Sequence, residues 1–297
     1  MTSEKHKSNY NTEIQIPGKT FLFGEYAILV EGACLGIGTS PCFTFDKNST
    51  VDMAVHENSP AGRFILKHKI DSFALNLSNP YKVGGFGAST AEFLYFYLNS
   101  NLDKNIQTCV ECYRDLYQGS SEQPSGMDVV TQLMGGLSLI DIHHQQIRHK
   151  YIDWPFLDID FVICSTGLKV QTHQHLAELD RKKCFDLVGP SHELYDLVQK
   201  PQVDPFFIAL NEWVNRLVKL NLIHSEILDL KKQLDRVFKD QLSFFESKPC
   251  GALGADVIIL FFNKNEKQKF TNLFKSWLGN RLKIQADLSQ ISYGPLA

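Results

Sequence analysis

Val83-Gly-Gly-Phe-Gly-Ala-Ser-Thr, followed directly by Ala91-Glu-Phe-Leu-Tyr-Phe-Tyr-Leu, joins a loop of small residues to an apolar segment. The apolar segment is typical of a buried helix. A glycine loop in front of a helix leaves backbone N–H groups exposed at the positive end of the helix dipole. The stretch therefore predicts a binding site for an anion such as a phosphate.

Two further segments of the chain are rich in small residues. They are Pro17-Gly-Lys-Thr-Phe-Leu-Phe-Gly-Glu-Tyr-Ala near the start and Lys248-Pro-Cys-Gly-Ala-Leu-Gly-Ala-Asp near the end. The Walker A motif is excluded because Glu13 stands where its first glycine is required. The Rossmann motif is excluded because Thr90 stands at its third glycine. The predicted phosphate site is therefore of another kind.

Two shorter blocks, Pro124-Ser-Gly-Met-Asp128 and Ser165-Thr-Gly-Leu-Lys-Val-Gln-Thr172, lie between these segments. In this order and spacing, the segments resemble the sequence blocks of the GHMP kinase superfamily, which includes galactokinase, homoserine kinase, mevalonate kinase and phosphomevalonate kinase. The resemblance implies an α+β fold with an S5-like N-terminal domain over residues 13–164 and a ferredoxin-like C-terminal domain over residues 165–297. Residues 1–12 are interpreted as a polar, disordered tail.

The resemblance also implies roles for individual residues in phosphoryl transfer, with ATP and Mg²⁺ as cofactors. Asp128 aligns with the base that accepts the proton of the attacking hydroxyl, and Lys19 would lie between Asp128 and the γ-phosphate. The Ser89 hydroxyl aligns with the serine that binds Mg²⁺. The nucleotide would be bound by the loop residues Gly85, Gly87, Ala88, Ser89 and Thr90. The acceptor would be bound by Glu25, Tyr26, Ser125, Gly126, Gly251 and Ala252.

Each of these assignments competes with a structural interpretation. Asp128 is also well suited to capping a helix after Pro-Ser-Gly, and Ser89 and Thr90 are suited to capping the helix that follows the glycine loop. Lys19 would then be a surface lysine beside a turn.

The acceptor is interpreted as phosphomevalonate, with mevalonate as the alternative. Tyr26 and Asp256 resemble the phosphomevalonate kinase pattern, whereas Pro124-Ser-Gly resembles the mevalonate kinase pattern. Phosphomevalonate carries more negative charge than mevalonate, so its kinase needs more cations around the acceptor. The candidate cations are Lys82, Lys169, Arg148 and Lys150.

Several positions depart from the superfamily pattern. Ala88 replaces a serine and Thr90 an alanine of the loop, and Leu253 and Ala255 replace glycines of the third block. Tyr117 stands where mevalonate kinases carry a metal-binding glutamate, with Asp115 nearby. A third hypothesis is therefore a catalytically impaired relative that only binds a ligand.

Composition excludes other classes of function. The 297 residues include 30 Lys and Arg against 33 Asp and Glu, a formal charge of −3, so no attraction to nucleic acid is expected. No stretch reaches the ~18 apolar residues of a membrane span, and the polar start predicts no secretory signal. Seven scattered cysteines favour a reducing cytoplasm, and Cys109-x-x-Cys112 is interpreted as two ordinary helix cysteines. We expect a cytoplasmic monomer or homodimer that binds small molecules.

Periodicity predicts a β-rich first part, including a strand at Arg63-Phe-Ile-Leu, and helices over residues 106–117, around 206–217 and around 227–237. Strands are predicted at 137–142, 156–164, 255–262 and 282–286, with a helix around Phe270 before the last one.

Overall fold

The computed structural model describes residues 13–46, 55–70, 76–81, 84–120, 123–167, 179–278, 283–287, 291 and 295. Within these ranges the strands are β1 Glu13–Phe23, β2 Ala33–Asp46, β3 Asn76–Ser78, β4 Leu137–His143, β5 Gln146–Ile152, β6 Ile159–Ser165, β7 Phe245–Cys250, β8 Val257–Asn263 and β9 Lys283–Asp287. The α-helices are α1 Pro60–His68, α2 Ala88–Asn99, α3 Ile106–Asp115, α4 Met127–Met134, α5 Arg181–Cys184, α6 Val188–Gln199, α7 Val203–Lys219, α8 Ser225–Lys239 and α9 Lys267–Leu278. The predicted tail over residues 1–12 lies outside the described residues.

The first sheet is antiparallel and is built around the long strand β2. Its order is β1-β2-β4-β5, and β3 pairs with the far end of β2. Pro17 interrupts β1, and the register shifts between Ile16 and Gly18. A proline cannot donate to the ladder, so a bulge at this position lets the strand continue. Helix α4 packs on β2 at Gly36, where a Cβ would lie 2.2 Å from the Thr131 hydroxyl oxygen.

The second sheet is also antiparallel and has the order β7-β8-β6-β9. Along the chain, helices separate β6 from β7, β8 follows β7 directly, and α9 separates β8 from β9. This is the strand order and connectivity of a ferredoxin-like sheet. The predicted α+β fold class is confirmed.

The apolar run of β8 is explained by burial on both faces of the second sheet. Val257, Ile259 and Phe261 point into the main core, which the sheets share. Ile258, Leu260 and Phe262 point into a smaller core formed with residues of α8 and α9. Because successive strand residues face opposite sides, only a strand covered on both faces is apolar at every position.

The strand predicted at Arg63-Phe-Ile-Leu is wrong, because these residues lie in α1. The Ser59 side chain caps this helix by accepting from the Gly62 N–H at 3.1 Å, and Pro60 occupies the first turn. Lys69 ends the helix in a left-handed conformation. The start and stop signals on either side of the apolar residues outweigh their β propensity.

The two sheets are joined by close contacts. Helix α6 packs on β2, and the Ser191 hydroxyl accepts from the Ala33 N–H at 3.0 Å. The predicted boundary between residues 164 and 165 falls inside β6, whose partners β8 and β9 both belong to the second sheet. The two-domain division at this position stays a prediction.

No helix of the described residues is long and apolar enough to cross a membrane.

Candidate active site

Lys19 and Asp128 form an ion pair. The Lys19 Nζ atom lies 2.9 Å from Asp128 Oδ1, and the side chains are 14% and 36% exposed. Lys19 projects from the middle of β1, and its ammonium lies 5.2 Å from the centre of the Phe21 ring. Asp128 lies in the first turn of α4. The structure thus brings the two predicted catalytic residues together.

The glycine loop lies against the same lysine. The Lys19 backbone N–H donates to the Phe86 carbonyl at 3.0 Å. A Cβ built at Gly87 would lie 3.0 Å from Lys19 Cγ, so only glycine allows this approach. Gly87 is also the N-cap of α2, with φ of 85°, and provides no side-chain cap. The first turn of α2 is therefore open to an anion beside the Lys19–Asp128 pair.

A second helix start meets the first. Gly126 is the N-cap of α4, with φ of 77°, and likewise provides no side-chain cap. Since α2 and α4 both begin next to Lys19, the positive ends of two helix dipoles and one ammonium group converge at this place. The arrangement favours negative charge.

The residues of the glycine loop differ in exposure. Ser89 is exposed and Ala88 is partly exposed, whereas Thr90 is buried and its hydroxyl contacts the Tyr113 side chain. Thr90 could therefore contact a nucleotide through its backbone only. The loop is anchored by Phe86, whose ring stacks on that of Tyr81 at 4.1 Å between centroids.

Gln132 belongs to the site, and sequence reasoning missed it. It lies one turn after Asp128 on α4 and is fully buried. Its Nε2 atom donates to the Pro17 carbonyl at 2.7 Å, and its Oε1 atom is buried with no hydrogen-bond partner among the described residues. That oxygen would lie 3.1 Å from a Cβ at Gly87. The i, i+4 spacing from Asp128 was the available signal.

The third block closes over the glycine loop. Asp256 is in contact with both Gly85 and Gly251, because a Cβ at these glycines would lie 2.4 Å from Asp256 Cβ and from Asp256 Oδ2 respectively. The Thr166 N–H donates to the Asp256 carbonyl at 3.2 Å. The block Ser165–Thr172 is described only as far as Gly167.

Leu253 has a left-handed backbone conformation, of the kind that favours glycine, with φ of 52° and ψ of 25°. It lies in the tight turn Ala252–Gly254, where its N–H donates to the Tyr26 hydroxyl at 3.0 Å and its carbonyl accepts from the His224 N–H at 2.8 Å. A left-handed leucine costs of order 1–2 kcal/mol. The turn is therefore retained in spite of the leucine, through hydrogen bonds to both of its backbone groups.

Glu25 and Lys248 form a buried pair beside this turn. Lys248 Nζ lies 2.5 Å from Glu25 Oε1, with the lysine side chain fully buried and the glutamate side chain 8% exposed. Glu25 Oε2 is buried with no hydrogen-bond partner among the described residues. Tyr26 follows Glu25 and is buried, and burial raises the pKa of its hydroxyl. Glu25, Tyr26 and the third block therefore lie together.

The comparisons with known proteins concern the fold. No protein-family model matches the sequence, and no curated protein matches it either. Among solved structures, the chain is similar to L. major mevalonate kinase in complex with R-mevalonate, at 16% identity over 96% of this chain and 98% of that one, with a TM-score of 0.65. It is similar to Streptococcus pneumoniae phosphomevalonate kinase in complex with phosphomevalonate and AMPPNP, at 15% identity over 93% and 98%, with a TM-score of 0.70. It is also similar to Lactococcus lactis galactokinase complexed with galactose, at 12% identity over 95% and 94%, with a TM-score of 0.71.

The chain has the GHMP kinase fold. The segment before α4 borders the site, because it leads into the helix that carries Asp128. Arg114 of α3 donates to the Ser125 carbonyl from Nε at 2.9 Å and from Nη2 at 2.6 Å. The Ser125 hydroxyl accepts from the Met127 N–H at 3.3 Å. Ser125 and Gly126 are thereby held at the start of the helix that carries Asp128.

A cavity of about 430 Å³ adjoins this segment of the GHMP kinase fold. Arg114 and Arg181 line it together with Glu31 and Asp115. Arg181 also donates to the Gln123 carbonyl at 2.6 Å. Two guanidinium groups therefore lie beside the Pro124–Gly126 turn, a feature that the sequence analysis missed.

Of the four cations predicted to bind a charged acceptor, two are described, and both contact other side chains. Arg148 pairs with Asp141 at 2.5 Å along the β4–β5 hairpin, and Lys150 donates to the Gln199 side chain on α6. Lys82 and Lys169 lie outside the described residues.

Tyr117 and Asp115 are the described residues at and near the position that was compared with the metal-binding glutamate of mevalonate kinases. Tyr117 is buried, and the exposed Asp115 lies 3.7 Å from Lys67. Cys109 and Cys112 lie on α3 as predicted, and the described residues contain no group of three His, Cys, Asp or Glu suited to a metal ion. Mg²⁺ needs only one or two protein oxygens when phosphates supply others. The exposed Ser89 hydroxyl and the partly exposed Asp128 carboxylate are oxygen groups of this kind, and both lie at the helix starts that meet at Lys19.

Proposed function

We propose that the chain is an ATP-dependent kinase that phosphorylates a small molecule. The observation that carries the proposal is the Lys19–Asp128 ion pair, with 2.9 Å between its atoms, placed beside an uncapped glycine-loop helix. Phosphoryl transfer needs positioning and charge neutralisation more than covalent chemistry by the protein. A carboxylate, an ammonium and open helix N–H groups at one place supply both.

Each group has a defined task in this proposal. The N–H groups at the start of α2, from Gly87 to Ser89, bind the phosphates of ATP. Asp128 accepts the proton of the attacking acceptor hydroxyl. Lys19 pairs with Asp128 and stabilises the negative charge that develops on the transferred phosphoryl group. Gln132 holds β1 against α4 through Pro17 and so fixes the distance between the lysine and the carboxylate.

Ser89 is the residue that would hold Mg²⁺. When bound, Mg²⁺ supplies neutralisation of the phosphate charges. The hydroxyl of Ser89 is not needed to cap the helix, because Gly87 already occupies the N-cap position.

The acceptor that we propose is phosphomevalonate. Glu25, Tyr26, Ser125, Gly126 and the turn containing Gly251 and Ala252 would surround it. The observation that supports a phosphorylated acceptor is the pair of arginines, Arg114 and Arg181, at the cavity beside Ser125. Arg114 and Arg181 already donate to the Ser125 and Gln123 carbonyls, so their remaining N–H groups are the ones that would bind phosphate oxygens.

Mevalonate is the second candidate acceptor. The observation that favours it is the engagement of Arg148 and Lys150 by other partners, which removes two of the cations expected for a more highly charged acceptor.

A coupled assay of ADP release tests both levels of the proposal. The purified chain is supplied with Mg²⁺-ATP and, in turn, mevalonate, phosphomevalonate, homoserine and galactose. We expect phosphomevalonate to be used with kcat/KM at least about tenfold above mevalonate, a difference of ~1.4 kcal/mol in transition-state binding. The reverse preference would identify mevalonate as the acceptor.

The same assay tests the ligand-binding hypothesis. If the chain binds ATP in a calorimeter but releases ADP with none of the four acceptors, the kinase proposal is contradicted in favour of a protein that binds without turnover. The departures at Ala88 and Leu253 motivate this alternative, whereas the retained Lys19–Asp128 pair supports catalysis.

A further inference from the structure

The Lys248–Glu25 pair joins the two sheets across the candidate site. Glu25 follows the end of β1, and Lys248 lies in β7, which contacts β1. The pair is separated by 223 positions in the chain, and the distance between Nζ and Oε1 is 2.5 Å. Both charged groups are shielded from bulk water, because the lysine side chain is 0% exposed and the glutamate side chain is 8% exposed.

Lys248 is the charged partner of Glu25 at neutral pH. The other ionisable groups of the described structure that interact with Glu25 are Tyr26, Cys34 and Cys250. Burial raises the pKa of all three, that of Cys250 to about 11, so they are uncharged near pH 7. Burial alone would lower the pKa of Lys248, but its neighbours Cys250 and Glu25 raise it above its ordinary value. Lys248 therefore remains charged near pH 7.

The pairing uses only half of the carboxylate. Oε1 accepts from Lys248, while Oε2 is buried and has no hydrogen-bond partner among the described residues. A buried carboxylate oxygen without a partner costs free energy unless a donor occupies the place next to it. Glu25 lies beside Tyr26 and the Leu253 turn, on the side where we place the acceptor.

We propose that Lys248 is a positioning residue for the acceptor: its ammonium holds Oε1 of Glu25, so that Oε2 is presented to a hydroxyl group of the acceptor. This inference rests on the proposed function, because it assigns the unpartnered oxygen to the molecule that is phosphorylated. It also gives the third block a task that is separate from binding ATP.

The test is Lys248→Met, which keeps the length and apolar stem of the side chain but removes its charge. We expect the KM for the acceptor to rise at least tenfold and the KM for ATP to change less than twofold. A lower melting temperature with an unchanged acceptor KM would show a purely structural role and overturn the proposal.

Lys231→Met is the matched control. Lys231 is also a largely buried lysine, and it pairs with Asp235 at 2.8 Å and contacts Ser247, the neighbour of Lys248 in β7. It lies in the second sheet's helix layer without contact to Glu25. We expect it to lower stability without changing the acceptor KM, and an equal effect of both variants on that KM would overturn the proposal.

A measurement that does not depend on turnover separates the two proposals. The binding of phosphomevalonate and of mevalonate, without ATP, is measured by calorimetry in the wild type and in Lys248→Met. If the wild type binds an acceptor but does not phosphorylate it, the proposed function fails and this binding measurement decides on Lys248. Equal affinities in the two proteins, or no binding to the wild type, would refute the inference. Should Lys248→Met not fold, Lys248→Gln takes its place, because it retains a hydrogen-bond donor to Oε1 without the charge.

Discussion

Replacement of Asp128 by asparagine separates the chemical role of this carboxylate from its structural role. Asparagine has the same shape and can still accept a hydrogen bond from Lys19, but it cannot take up the proton of the acceptor hydroxyl. Loss of a general base lowers turnover by roughly 10²–10⁴-fold, which corresponds to ~3–5 kcal/mol in the activation free energy.

The structural cost of the same substitution is much smaller. A negative charge in the first turn of a helix contributes about 0.3–1 kcal/mol. The ion pair with Lys19 joins a carboxylate that is 36% exposed to a lysine that is 14% exposed, and pairs with this access to solvent contribute about 0–1 kcal/mol. The sum stays below about 2 kcal/mol, so the melting temperature should fall by no more than roughly 5 °C in a chain of this size.

The assay is ADP release by purified Asp128→Asn at saturating Mg²⁺-ATP and acceptor, with a thermal melt of the same sample. Asp235→Asn is the control, because Asp235 also pairs with a largely buried lysine, at 2.8 Å from Lys231 on α8, but outside the site. We expect a loss of at least about 10²-fold for Asp128→Asn and none for the control. Turnover of Asp128→Asn within threefold of the wild type would refute the assignment of Asp128 as the base, and Asp128 would then be a helix-terminal carboxylate.

Two further substitutions test the remaining parts of the site, and a third, in α2, tests the stability of the fold. Ser89→Ala should raise the Mg²⁺ concentration needed for half-maximal rate while metal-free ATP binding is retained, because the loop backbone is unchanged; an unaltered Mg²⁺ dependence would make Ser89 a residue of the helix start only. Gly85→Ala should weaken ATP binding at least tenfold, since φ is +96° and the new Cβ would lie 2.4 Å from Asp256 Cβ, whereas Gly84→Ala, with no atom within 4 Å, should bind normally in the same calorimetric titration. Glu92→Gln should raise the melting temperature at pH 7 but not at pH 4: burial raises the pKa of Glu92, so the charged form destabilises the fold above that pKa and the cost disappears as pH falls through it. Equal melting shifts at both pH values would contradict this account.

The sequence by itself predicted the candidate site residues, because their signals are local. A glycine loop before an apolar helix, and Pro-Ser-Gly before Met127 and Asp128, are recognisable within a few neighbouring positions. The helices around Phe206–Leu217 and Ile227–Val237 were predicted correctly because apolar residues recur with helical spacing along each of them. The wrong prediction at Arg63–Leu66 arose because a short apolar run shows little periodicity. The capping residues on both sides of this run determine its structure instead.

The tertiary structure alone decided which distant residues meet. Gln132 contacts Pro17 across 115 positions and Lys248 contacts Glu25 across 223 positions. No local sequence pattern predicts these contacts. A residue's contacts across a fold depend on strand register and on helix packing, and not on its neighbours in the sequence. Both sheets must be complete before Lys248 can be buried against Glu25, and the same closure places Asp256 over Gly85. The sequence therefore determined which chemical groups are available, and packing determined which of them act on one another.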